Sequence, residues 1–303
     1  MTSPRIALVT ARAARDLDDD LAPLLAALHD LGADARAVDW DDASADWSCF
    51  DLAVLRSTWD YTGRLREFLA WAAQTATRTR LQNPLDVLCW STDKHYLGVL
   101  AGRGIPIVPS LFVEPHEDAA QALDGFLDLH AEFDEFVVKP AIGAGSRDAQ
   151  RHARDASDTA LAHVRRLLGA NRSVLLQPYL DRVDDHGETA LIHFDGQFSH
   201  AIRKGPLLRR DDMPTRALFA TEHITSRVPT PEERALAERT LAAIPFAQPL
   251  AYTRVDLIHD SDGSPCVLEL ELAEPSLFFA HAPGSALRFA RVLLARAESA
   301  DAG

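Results

Sequence analysis

The chain has 303 residues, 47% of them hydrophobic and 25% charged, with a formal net charge of -14. Such a length and apolar fraction support a well-buried core spread over two or three domains. The acidic excess argues against a general nucleic-acid or anionic-membrane surface, because both would repel it. No window reaches the roughly 18 apolar residues of a membrane span, and the first residues lack the apolar core of a signal peptide. Cys49, Cys89 and Cys266 are isolated, odd in number and without a CxxC pair, which fits neither a disulfide framework nor a zinc site. A cytoplasmic protein is expected.

From the N-terminus, residues 6–9 form a short apolar run, and residues 17–31 repeat apolar side chains at helical spacing. Strands are expected at 35–38 and 52–55, and a helix at 65–76. This alternation predicts a small parallel βαβ domain over residues 1–84. Ligands are expected at the carboxyl ends of its strands, where Arg56, Ser57 and Asp60 follow an Ala-Val-Leu run. Ser91-Thr92-Asp93 reads as the cap of a helix running to residue 103. Beyond it, 105–113 reads as extended, 118–130 as helix, 135–139 as strand, 140–148 as loop, 155–168 as helix and 173–177 as strand. Together they suggest an α+β module inserted in a larger domain over 85–303, with a lid at about 107–178. Asp195-Gly196 marks a hairpin between 188–194 and 197–203. A second hairpin joins 251–259 to 265–272 through Ser261-Asp262-Gly263, and the last 20 residues read as helix. The polar stretch 207–214 reads as a mobile loop.

Three lysines stand among 31 basic side chains. Lys94, Lys139 and Lys204 each lie in a segment suited to handling a nucleotide, where a compact ammonium does what a planar guanidinium cannot. Strand alternation places Glu269 and Glu271 on one face of their strand, and the second hairpin brings Asp256 to the same side. Like charges so close are costly unless neutralised. Mg²⁺, held by carboxylates and nucleotide phosphates, would relieve that cost. The small-residue loop Gly143-Ala144-Gly145-Ser146 follows the Lys139 strand, and its backbone N–H groups can approach phosphate oxygens closely. The loop matches neither Gly-x-x-x-x-Gly-Lys-Ser/Thr nor Gly-x-Gly-x-x-Gly.

With Gln177-Pro178-Tyr179-Leu180 placed eleven residues before Glu188, the arrangement resembles the ATP-grasp superfamily of ligases, which includes glutathione synthetase and D-alanine–D-alanine ligase. The resemblance covers roughly residues 85–290, with a pre-ATP-grasp βαβ domain before it, and implies an α/β fold with an α+β lid. It implies ATP and Mg²⁺ as cofactors, with Lys94, Lys139, Lys204 and the 143–146 loop on the phosphates. Residues 177–180 correspond to the adenine hinge and Glu188 to the ribose-binding acid. Asp256, Glu269 and Glu271 correspond to the metal ligands, although the family commonly has asparagine at the last. Arg254 corresponds to an arginine that steadies the acyl and transferred phosphoryl groups.

Within the superfamily, the segments Leu-Arg-Ser-Thr-Trp-Asp-Tyr (55–61), Thr-Asp-Lys-His-Tyr-Leu (92–97), Gly-Glu-Thr-Ala-Leu-Ile (187–192), His-Ala-Ile-Arg-Lys-Gly-Pro (200–206) and Leu-Glu-Leu-Glu-Leu-Ala-Glu-Pro-Ser-Leu-Phe (268–278) are similar to the branch containing the cyclo-ligase of D-cycloserine biosynthesis. The resemblance implies that a substrate carboxylate becomes an acyl phosphate, which a nitrogen attacks. In that branch the closure is intramolecular, from O-ureido-D-serine; a peptide-forming ligase and a non-catalytic nucleotide-binding regulator are the rival readings. The catalytic set is expected to be Arg254, Lys204 and Lys139, and the substrate set Arg56, Ser57, Asp60, Arg254 and Ser276. The expected partners are a small amino-acid-like substrate, with no nucleic acid or membrane, and the resemblance suggests a homodimer.

Overall fold

The structure, a computed structural model, describes residues 3–208 and 223–299; most of the loop expected at 207–214 therefore lies outside the described residues. Strands β1 (Arg5–Thr10), β2 (Asp34–Asp39), β3 (Leu52–Ser57) and β4 (Arg80–Gln82) form a parallel sheet in the order β2-β1-β3-β4. Helices α1 (Leu21–Asp30) and α2 (Leu65–Ala76) make the crossovers. Both faces of β1 and β3 are buried, which is why these strands read as unbroken apolar runs. Ile6, Leu8, Leu52 and Val54 join a cluster with α1, while Ala7, Val9, Ala53 and Leu55 join another built on Trp40, Trp47 and Phe68. At the carboxyl ends, the Thr10 and Ser57 hydroxyls hydrogen-bond at 2.7 Å.

The helix expected to run to residue 103 is present, and a further short helix precedes it. α3 (Leu85–Ser91) ends where a cap was expected, and α4 (Tyr96–Gly102) begins after a turn carrying Lys94. Thr92 turns its hydroxyl back to the Leu88 carbonyl (2.9 Å) instead of capping a new helix, and the Lys94 N–H donates to the Ala141 carbonyl (3.0 Å). Asp93 accepts the His95 N–H at 3.1 Å, so the turn into α4 keeps a local cap bond beside the long-range contact.

The second sheet is antiparallel, in the order β5-β8-β6-β7, from β5 (Leu111–Val113), β6 (Glu135–Pro140), β7 (Gln150–Ala153) and β8 (Val174–Pro178). Helices α5 (Ala119–Leu129) and α6 (Ser157–Gly169) share its core through Leu123, Phe126, Val164 and Leu167. Asp118 caps α5 by accepting from the Ala120 and Gln121 N–H groups, both at 2.9 Å. Only 111–113 of the extended stretch is strand; Ile107 instead bridges to Val267.

After the short α7 (Arg182–His186) comes a five-stranded antiparallel sheet, ordered β11-β10-β9-β12-β13. Its strands are β9 (Glu188–Phe194), β10 (Gln197–Lys204), β11 (Ile224–Arg227), β12 (Tyr252–His259) and β13 (Pro265–Glu271). Asp195 and Gly196 turn the first hairpin at φ 50° and 73°, the positive values a two-residue turn of this kind requires. Helix α8 (Pro231–Ala242) packs on one face and opens with a reciprocal Thr230–Glu233 capping box. Helix α9 (Ser285–Glu298) closes the chain and packs on α1, so that Phe289 and Leu293 tie the last sheet to the first. The Asn83 amide reinforces the same junction, donating to the Tyr252 and Leu272 carbonyls at 2.9 and 2.7 Å.

Candidate active site

The β12–β13 hairpin brings the expected charged residues together. Asp256 pairs with Glu269 and Arg254 with Glu271, so the alternation that buries Val255, Leu257 and Leu270 turns all four charged side chains to the other face. Leu268 lies in the bulge between Asp256 and Leu257. All three lysines of the chain line the cleft above this face, with Gly143, Ala144, Gly145 and Ser146 from the loop after β6 and Pro178, Tyr179 and Leu180 after β8. Val108, Val137, Ile258 and Leu268 give it an apolar wall.

The carboxylates here are paired with protein cations. The Lys94 ammonium lies 2.8 Å from Glu269 and donates to the Gly143 carbonyl at 2.8 Å, coupling the loop to β13. Lys204 bridges Glu188 and Asp256, the latter at 2.7 Å. Arg254 grips Asp256 with Nε at 2.8 Å and a terminal nitrogen at 2.7 Å, reaches Glu271, and donates to the Ser276 carbonyl at 3.2 Å. Burial pushes the Asp256 carboxyl upward, but Arg254 and Lys204 outweigh it and hold the group far below the usual range. Glu188 is raised by burial, which Lys204 only partly offsets. Lys139 stands apart: burial lowers it to about 8, and neither it nor Arg147 makes an ion pair among the described residues.

The fit to a divalent cation is uneven. Glu269 and Glu271 each commit one oxygen to a protein cation and keep about a quarter of the side chain exposed toward the cleft. Two carboxylates facing one cleft suit partly hydrated Mg²⁺. Both oxygens of Asp256 are spent on Arg254 and Lys204, and its side chain is 2% exposed. It lies behind the two cations and not on the cleft wall.

Other expected residues also depart from the cleft. The Gln177 side chain turns away to donate to the Ser110 hydroxyl at 2.9 Å. Pro178 carries no N–H, and Tyr179 gives its own to the Glu135 carbonyl at 2.9 Å; Leu180 keeps an N–H without a hydrogen bond among the described residues. Ser276 lines the cleft, whereas Arg56, Ser57 and Asp60 do not. Arg56 is fully buried, donating to the Pro275 carbonyl (3.1 Å) with Asp20 and Asp18 at 3.7 and 4.0 Å. Ser57 is held by Thr10, and Asp60 by the Trp40 indole at 2.8 Å. Arg56 thus braces the first sheet against the loop after β13, while Ser57 and Asp60 bond within the first domain.

That loop contributes residues the sequence reading passed over. Glu274, with Trp59 beside it, lines the cleft, and burial pushes its carboxyl up to about 8. The Trp59 indole donates to the Glu274 carbonyl at 3.1 Å, and Asp20 accepts the N–H groups of Leu277, Phe278 and Phe279 at 2.6–2.9 Å. Glu274 follows the alternating strand pattern, so nothing in the local pattern separates it from a loop acid.

Residues 6–83 match the family model described as D-cycloserine synthetase DcsG, N-terminal domain. The chain is 42% identical to the cycloserine biosynthesis protein DcsG of Streptomyces lavendulae, over 96% of its own length and 98% of that protein's. A crystal structure of D-cycloserine synthetase DcsG matches with a TM-score of 0.90 and 42% identity, over 97% of this chain and 99% of that one. D-Alanine–D-alanine ligase from Bacillus anthracis, complexed with ATP, matches along the full length of both chains with a TM-score of 0.68 and 15% identity, a likeness of fold. The α/β architecture is that of the ATP-grasp ligases.

Proposed function

The chain belongs to the D-cycloserine synthetase family of ATP-grasp ligases, and from that premise we propose that it closes the ring of O-ureido-D-serine at the expense of ATP. The observation that carries this reading is 42% identity over nearly the whole of both chains. The substrate carboxylate attacks the γ-phosphate of ATP, ADP leaves, and the nitrogen bound to the side-chain oxygen displaces phosphate from the acyl phosphate. Atom balance then requires the carbamoyl group to leave that nitrogen with the uptake of one water. Holding both reacting groups of one flexible molecule in a near-attack shape supplies much of the rate.

The roles follow from position. Lys139, Arg147 and the Gly143, Ala144, Gly145 and Ser146 loop take the phosphates, helped by Lys94, which already binds the loop. Residues 178–180 and the apolar wall take the base, with Leu180 offering the N–H; Glu188 serves the ribose. Glu269 and Glu271 hold Mg²⁺, which when bound neutralises phosphate charge, and Asp256 orients Lys204 and Arg254 from behind. Arg254 and Lys204 spread the charge of the transferring group, since phosphoryl transfer is mostly positioning and electrostatics. ATP-grasp ligase PsnB has been solved with Mg and ADP, which supports the same cofactors here. In this reading residues 1–84 form the first domain, 85–303 the ATP-grasp domain and about 107–178 the lid. A reducing cytoplasm suits three unpaired cysteines, and no helix among the described residues is long and apolar enough to cross a membrane.

Incubation with Mg²⁺-ATP and O-ureido-D-serine, followed for ADP and by mass for product, tests the reading. ADP with cycloserine and ammonia in equal amounts is the expected result. No ADP above the ATP-only background would overturn the substrate and move the search to paired carboxylate and amine donors.

A further inference from the structure

Among the described residues, each carboxylate lining the cleft has a protein cation as partner, except one. Glu188 has Lys204, Glu269 has Lys94 and Glu271 has Arg254. Glu274 is 7% exposed and has no lysine or arginine within ion-pair distance; its partner is the hydroxyl of Tyr61, itself buried. A buried carboxylate without a counter-charge is costly. This one is also firmly held. Trp59 binds the carbonyl of residue 274, Arg56 that of 275 and Arg254 that of 276, while Asp20 takes the next three N–H groups. The first sheet thus fixes an acid without a counter-cation on the cleft wall, two residues from Ser276, whose carbonyl Arg254 binds.

We propose that Glu274, oriented by the Tyr61 hydroxyl, binds the α-ammonium of the amino-acid substrate. The inference rests on the reaction proposed above and adds the group that selects its substrate. In an α-amino acid the ammonium is one carbon from the carboxylate to be phosphorylated, so the two recognition groups must adjoin. Arg254 and Glu274 both line the cleft, and Arg254 donates to the carbonyl of Ser276, two residues beyond Glu274. The ligand brings the cation that the described residues do not provide, and an acid lacking the amine would leave Glu274 buried and without that partner.

The test is a cycle of two proteins and two substrates: wild type and Glu274→Gln, each with O-ureido-D-serine and with 3-(ureidooxy)propanoate, which lacks the amine. Glu274→Gln should lower kcat/KM for the amino acid by about 100-fold or more, mostly through KM, and hardly change it for the deamino acid. Glu274→Asp should recover part of the loss. ATP affinity and the Mg²⁺ midpoint should stay within about twofold of wild type, which also shows that the variant is folded. Equal losses on both substrates, or a shifted Mg²⁺ midpoint, would overturn the assignment. If the wild type released no ADP with O-ureido-D-serine, the reaction assigned above would fall. The ammonium site would then be scored on nucleotide-loaded protein. D-Serine should raise the unfolding temperature and N-acetyl-D-serine should not, in wild type but not in Glu274→Gln; no response to D-serine would sink it.

Discussion

Removing the Arg254 guanidinium tests whether the charge lattice beneath the cleft is real. Its two nitrogens lie 2.8 and 2.7 Å from the Asp256 oxygens, and the side chains are only 6% and 2% exposed. Taking the charge centres as about 4 Å apart at an effective dielectric constant of about 20 gives an attraction of about 4 kcal/mol. Breaking a buried pair from one side costs about 3–5 kcal/mol, because the other charge is left behind. Arg254→Met and Asp256→Asn should therefore each lower the unfolding temperature of the nucleotide-free protein by about 6–10 °C, at roughly 2 °C per kcal/mol for a long chain. The double variant should fall short of the summed losses by about 2–3 kcal/mol, as expected for partners in contact. Arg254→Lys, which keeps the charge but not the two-pronged grip, should lie between wild type and Arg254→Met. Turnover should fall at least about 100-fold in Arg254→Met, as when a charge-stabilising donor is lost. Thermal unfolding of the four proteins supplies the cycle. Additive losses, or an Arg254→Met variant within about 1 kcal/mol of wild type, would refute the claim that this pair is buried and coupled.

Three further outcomes are expected. Lys139 has its ammonium lowered to about 8 by burial, against 10.5 for an ordinary lysine. The unfolded chain therefore binds this proton more strongly, and the group favours folding increasingly as pH rises from about 8 to 10.5. A phosphate reverses the preference, so ATP affinity, measured by calorimetry, should fall as pH rises through about 8 in wild type and lose that slope in Lys139→Met. Gly187 has φ +76°, and an added Cβ would stand 2.5 Å from the Lys204 carbonyl; Gly187→Ala should displace Lys204 and reduce turnover about tenfold or more, and wild-type kinetics would show the backbone there to be pliable. Thr230→Ala removes half of a capping box on the far face of the sheet, so it should cost about 1 kcal/mol of stability and leave KM for ATP unchanged, a comparison made by thermal shift and steady-state kinetics on one preparation.

How much of this was legible in the sequence depended on whether the signal was local. Alternation in Val267-Leu268-Glu269-Leu270-Glu271 and the hairpin turn before it placed the carboxylate face, and the pairing of Asp256 with Glu269 follows. The lysines were equally readable: a chain that uses arginine elsewhere kept ammonium groups at 94, 139 and 204, and all three line the cleft. Partnerships between distant segments were not legible. Ser91-Thr92-Asp93 does lead into α4, but the bond of the Lys94 N–H to Ala141 in the turn before it could not be read locally. β7 is a polar edge strand, Gln-Arg-His-Ala, whose order comes from pairing with β6. Arg56 and Asp60 stand at strand ends where substrates are usually met, but their partners are Pro275, Asp20 and Trp40. Glu274 fails for the same reason in reverse. Its distinction is the lack of a cation among the described residues, and that lack exists only once Lys94, Lys204 and Arg254 have been assigned to other acids.

That order of assignment is itself an argument about mechanism. When the pairs within the cleft are removed from consideration, the charges left over among the described residues are not of one kind. Lys139 and Arg147 lie on the side of the 143–146 loop, and Glu274 lies on the side of the first sheet. A nucleotide supplies anions for the former and cannot satisfy the latter. In the proposed reading an amino acid whose carboxylate points toward Arg254 supplies that missing cation. On that reading the leftover charges therefore set a direction, phosphates under the loop and ammonium against Glu274.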